Sequence, residues 1–112
     1  MDTKREGELD SAQVFSLVNL IAYQEGSVVS RTLLDKAAGT LTLFAFGAGQ
    51  GLSEHQAPFD AFVYIIDGAA SVSVAGTDHG LVAGDMIVLP ANKPHALRAT
   101  ARFKMLLAMI KS

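Results

Sequence analysis

At 112 residues the chain has the length of one domain, enough to bury a core of its own. Half of it is hydrophobic, 18% is charged and the net charge is −2, which argues against intrinsic disorder and leaves no basic footprint for nucleic acid. Cysteine is absent, so disulfides, thiolate metal sites and cysteine nucleophiles are excluded.

Residues 1–12 read as a short, charged N-terminal tail, and residues 13–112 as a single domain. The tail has no apolar stretch of the kind a secretory signal needs, and no later run is long and apolar enough to be a membrane-spanning helix. Neither membrane nor nucleic acid is expected as a partner, and the cytoplasm is the default location. Val14 to Tyr23 follows, with Leu17, Leu20 and Ile21 at helical spacing, and predicts a helical or irregular piece that ends at Glu25-Gly26.

From Ser27 the pattern changes to short runs punctuated by glycine. Ser27–Leu34 is rich in β-branched residues. Thr40–Phe46 alternates Leu41, Leu43 and Ala45 against Thr42, Phe44 and Phe46. Ala61–Ile66 is almost wholly apolar, as in a strand buried on both sides. Asp67-Gly68 predicts a tight turn, and Ala69–Val74 resumes alternation before a second turn in Ala75-Gly76-Thr77-Asp78. His79–Val82, Met86–Leu89, His95–Thr100 and Phe103–Ile110 complete nine or ten predicted strands with no long helix. The chain is therefore all-β, a sandwich, barrel or jelly roll.

Two histidines lie forty residues apart in glycine-framed stretches. His55 stands six residues after Gly49 and thirteen before Gly68; His95 follows Gly84 and Pro90. These frames resemble the two signature motifs of the cupins, G(x)5HxH(x)3–4E(x)6G and G(x)5PxG(x)2H(x)3N. Gly49, His55, Gly68, Gly84, Pro90 and His95 fit. Ala57 stands where the family has its second histidine, Ala61 where it has its glutamate, Asn92 in place of the inner glycine and Ala99 in place of the last asparagine. The resemblance covers roughly residues 27 to 110 and implies a cupin-type jelly-roll β-barrel, or double-stranded β-helix, behind the short tail. It also implies a homodimer, with which the apolar content of Ser27–Phe46 agrees.

In the full family pattern three imidazoles and a carboxylate hold Fe, Mn, Ni, Zn or Cu. Here the expected metal ligands are His55 and His95, with Asp60 as a possible third, so a divalent transition metal is expected to bind weakly or not at all. Strand parity counts against Asp60, which serves equally well as a turn cap. Glu54 and Gln56 would point away from His55 in a regular strand. Phe44, Phe46, Val63, Ile65, Leu97 and Met105 are the candidate walls of a pocket above the histidines, and equally core residues. His79 is read as exposed, Asp67 and Asp85 as turn residues, and Lys93, Arg98, Arg102 and Lys104 as a solvated edge. Three functions stay open: a barrel binding an unidentified small molecule, a metal-dependent dioxygenase or isomerase with a substituted ligand, and a structural or interaction protein.

Overall fold

A computed structural model of the chain describes residues 8–111, so most of the predicted tail lies outside the described residues. The molecule is all-β, as expected. Its strands are β1 (Val28–Lys36), β2 (Gly39–Phe46), β3 (Gly51–His55), β4 (Asp60–Val74), β5 (Thr77–Val82), β6 (Met86–Leu89), β7 (His95–Arg98) and β8 (Phe103–Ile110).

All pairings are antiparallel, and the main path runs β1-β2-β8-β4-β7-β3. The sheet curls because β4 belongs to both of its halves. Residues 60–68 of β4 pair with β8, and residues 61–64 also pair with β6; residues 69–74 pair with β5 and 71–74 with β7.

The count of nine or ten strands is corrected to eight among the described residues. Two predicted strands are one, because Asp67-Gly68 is no hairpin. It is a bulge inside β4, where the register with β8 shifts between Ile65 and Asp67. Gly68 has φ +77, and a Cβ there would collide with the Arg102 carbonyl oxygen. Glycine signalled the positive φ correctly, but the strand bends instead of reversing. The second predicted turn is a hairpin. Ala75 (φ 48) and Gly76 (φ 85) join Val74 to its partner Thr77, a two-residue loop whose positive φ values match the sheet twist. Strand β3 was not anticipated; its Gly-Leu-Ser-Glu-His sequence carries little β signal, and pairing with β7 creates it.

Alternation along each strand separates two cores. Phe46, Val63, Ile65, Val72, Phe103 and Met105 fill the barrel interior with no exposed surface. Each such side chain contributes about 1.5–3 kcal/mol of burial. The Phe46 and Phe103 rings stack with centroids 4.4 Å apart. Leu43 and Ala45 point the other way and form an outer core with Leu33 and Ile21.

That outer core is roofed by the segment before β1. Val14–Tyr23 proves irregular, with one 3-10 turn at Leu17–Asn19, and Leu17, Leu20, Ile21 and Tyr23 pack onto the sheet. The strap begins inside the predicted tail, since the Leu9 N–H donates to the Leu33 carbonyl at 3.0 Å. A backbone bond of this kind leaves no mark in side-chain pattern.

Candidate functional site

The two histidines are brought opposite each other by a bulge. In the β3–β7 ladder Leu52 pairs with Leu97 and His55 with His95. The chain advances three residues on β3 and two on β7, so one extra residue is accommodated. Without it Glu54 would face His95. The bulge thus re-aims the strand end so that an imidazole meets an imidazole.

Their Nε2 atoms lie 3.1 Å apart, with the rings nearly perpendicular at 73° and centroids 4.3 Å apart. His95 is 7% exposed while His55 is open to solvent, so the pair spans the rim of the barrel. Each Nδ1 faces a backbone carbonyl two residues earlier on its own strand or loop: Ser53 O at 2.8 Å for His55, and Lys93 O at 3.3 Å for His95. A carbonyl oxygen only accepts. His55 therefore donates from Nδ1 and, when neutral, presents a bare lone pair at Nε2. The Lys93 contact is longer and weaker. His95 can release it to donate from Nε2 to His55, or keep it and present a second lone pair beside the first.

With both Nδ1 bonds made, the two neutral rings present Nε2 lone pairs on atoms 3.1 Å apart. Two nitrogens each about 2.1 Å from one ion at about a right angle lie about 3 Å apart, so the spacing fits a divalent transition metal held by both rings. Burial lowers the His95 pKa from its ordinary value, the neighbouring His55 lowers it further, and the Lys93 carbonyl opposes both. The lowered pKa favours the neutral form of His95, the form a metal needs.

The possible third ligand is placed elsewhere. Asp60 opens β4, and its Oδ1 accepts the Ala91 N–H at 2.8 Å, tying down the loop between β6 and β7. Among the described residues no three His, Asp or Glu side chains come together as a metal-binding group. Ala61 is buried in the inner core, and Ala57 uses its carbonyl to accept the Asn92 N–H at 2.7 Å.

The candidate pocket residues all belong to the inner core. Phe46, Val63, Ile65 and Met105 are wholly enclosed, Leu97 nearly so, and Phe44 is half-buried. They form a packed floor beneath the rim. His79 is exposed, as expected, and Asp85 caps its turn by accepting the Val82 N–H.

Lys93, Arg98 and Arg102 are exposed, as expected of a solvated edge, and only Lys104 needs correction. Lys104 is buried and donates to the Val18 carbonyl at 2.7 Å, and Arg102 lies 4.4 Å from the Tyr23 ring centroid. The Tyr23 hydroxyl donates to Asp67 at 2.6 Å. These charged groups clamp the strap, and residue type gave no sign of it because the strap is 44 residues from Asp67 and 86 from Lys104. The orienting carbonyls of Ser53 and Lys93 were likewise missed, since any residue supplies one.

A family model described as Cupin domain matches residues 42–110. A conserved protein of unknown function from Streptococcus pyogenes superposes with a TM-score of 0.88 at 32% identity, covering 94% of this chain and 92% of that one. A cupin superfamily protein from Desulfitobacterium hafniense gives 0.88 at 29% identity, over 97% and 100% of the two chains. A cupin 2 conserved barrel domain protein from Leptotrichia buccalis gives 0.84 at 41% identity, over 87% of this chain and 47% of that one. No curated protein matches the sequence.

Proposed function

The chain belongs to the cupin family, and from that premise we propose that it is a small-ligand-binding barrel whose polar anchor is the His55–His95 pair, which takes a divalent transition metal weakly. The observation that carries this reading is the 3.1 Å approach of the two Nε2 atoms, with both Nδ1 atoms facing carbonyl oxygens. Two protein ligands leave most of an ion's coordination sphere to water or to a small molecule, hence the weak affinity. When bound, the ion would supply Lewis-acid attraction for an oxygen or nitrogen donor. The chain's own part is orientation. The Ser53 and Lys93 carbonyls fix the rings, as groups behind metal-binding histidines do. The apolar floor below them closes the inner side.

The test uses protein purified without a histidine tag and titrated with Cu(II), Ni(II), Zn(II) and Co(II) in a calorimeter. One ion per chain, removed by mild chelation and abolished by His55→Ala or His95→Ala, is the expected result. Binding that survives both substitutions, or no binding of any of the four ions, overturns the reading.

A further inference from the structure

A second cleft lies where the strap meets the end of β2 and the start of β8, and it shares no residue with the histidine site. Tyr23, Gln24, Glu25, Gly47, Ala48 and Arg102 line a volume of about 350 Å³, within the range that small-molecule sites occupy. Backbone bonds fix its walls. The Ser27 N–H donates to the Gln24 carbonyl at 3.1 Å, the Gly47 N–H to the Ser27 carbonyl at 2.9 Å and the Gln50 N–H to the Gly47 carbonyl at 3.1 Å. Strap and strand cross closely at Gly47, where a Cβ would stand 3.2 Å from the Gly26 nitrogen and 3.3 Å from the Gln24 and Ser27 carbonyl oxygens.

Four charged groups line this cleft or touch Tyr23, and two of them are already engaged. Asp67 accepts the Tyr23 hydroxyl, and Lys104 donates to the Val18 carbonyl. Arg102 and Glu25 remain. Both are exposed, and among the described residues neither makes a hydrogen bond or an ion pair, with the other or with a third group. Arg102 is held in place all the same. Its guanidinium lies 4.4 Å from the Tyr23 ring centroid, and the Asp67 bond pins that ring. Stacking uses the face of a guanidinium and leaves its N–H edge open, a fork that matches a carboxylate with two parallel bonds.

We propose that the cleft binds a small zwitterion of the α-amino-acid class, its carboxylate on the Arg102 fork and its ammonium on the Glu25 carboxylate. A simple anion would meet the Glu25 charge uncompensated, and a simple cation would meet Arg102. A zwitterion answers both. Gly47 and Ala48 bring no charge to the remaining wall, which suits an apolar side chain. Because the walls and the Arg102 head are already fixed, little ordering is left for binding to impose.

Amide chemical shifts of the isotope-labelled full chain, without added metal, test this. The probes are L-leucine and two analogues that each lack one charge, isocaproate and isoamylamine. L-leucine is expected to shift the Gln24, Ala48 and Arg102 amides saturably, and each analogue to bind about tenfold more weakly or worse. Arg102→Gln and Glu25→Gln are each expected to weaken L-leucine about tenfold or more, with the rest of the spectrum unchanged, since both side chains are exposed. No shift at the cleft with L-leucine overturns the proposal, as do shifts confined to His55 and His95. So does isocaproate binding as well as L-leucine, or an affinity indifferent to Glu25→Gln, either of which would make the cleft a plain anion site.

Discussion

His55 and His95 turn their Nε2 atoms to within 3.1 Å of each other while their Nδ1 atoms face the Ser53 and Lys93 carbonyls. Two rings held this way are placed to share one proton or one cation between their Nε2 atoms. The consequences for pH, metal and packing can each be measured.

The folded protein holds the His95 pKa below its ordinary value. In the window from the unfolded value near 6.5 down to the lower folded one, the unfolded chain binds more protons than the folded one. Stability is therefore expected to fall as pH drops through that window and to be unaffected by this group above it. Melting temperatures measured between neutral and mildly acid pH should decline, and His95→Gln should flatten the decline. A wild-type profile with no slope there would contradict the lowered pKa.

Ala57→His and Ala61→Glu are the substitutions that complete the family pattern, and the structure separates them. Ala61 is 5% exposed within the inner core, so a glutamate there buries a carboxyl among apolar side chains. It is expected to cost several kcal/mol in chemical denaturation without metal. Ala57 is only half-buried, and its histidine variant should keep near wild-type stability. Equal losses for the two would show that β4 tolerates a carboxyl at position 61.

Gly68→Ala tests the bulge. The added Cβ meets the Arg102 carbonyl, and φ +77 is unfavourable for alanine. A loss of about 2–4 kcal/mol is expected, against about 1 kcal/mol for a glycine whose surroundings are open. Gly76→Ala supplies that control, since nothing lies within 4 Å of its would-be Cβ. Urea midpoints of the two variants decide.

Tyr23→Phe removes the hydroxyl bonded to Asp67 and should cost about 1–2 kcal/mol, as for a partly buried bond to a charged acceptor. Burial, with the Asp67 bond and its charge, raises the Tyr23 pKa above the ordinary tyrosine value, against the opposing pull of Arg102. In a Tyr64→Phe background the phenolate absorbance should therefore appear at higher pH than in the free amino acid. Appearance at the ordinary pH would show that the clamp is open in solution.

The sequence by itself determined the all-β class, most strand positions and the identity of the paired histidines. Apolar alternation has a period of two, and glycine marks positive φ, so both signals are local. Leu41, Leu43 and Ala45 against Phe44 and Phe46 already separated the two faces of β2. Only the tertiary structure decided what depends on partners far along the chain. Gly68 could announce a positive φ but not whether the chain would reverse or bend, because that depends on where Arg102 lies. Lys104 looks like any surface lysine until Val18, 86 residues earlier, comes to accept its proton. The aim of His55 rests on one extra residue in the β3–β7 ladder, a register that neither strand specifies alone and that only their pairing fixes.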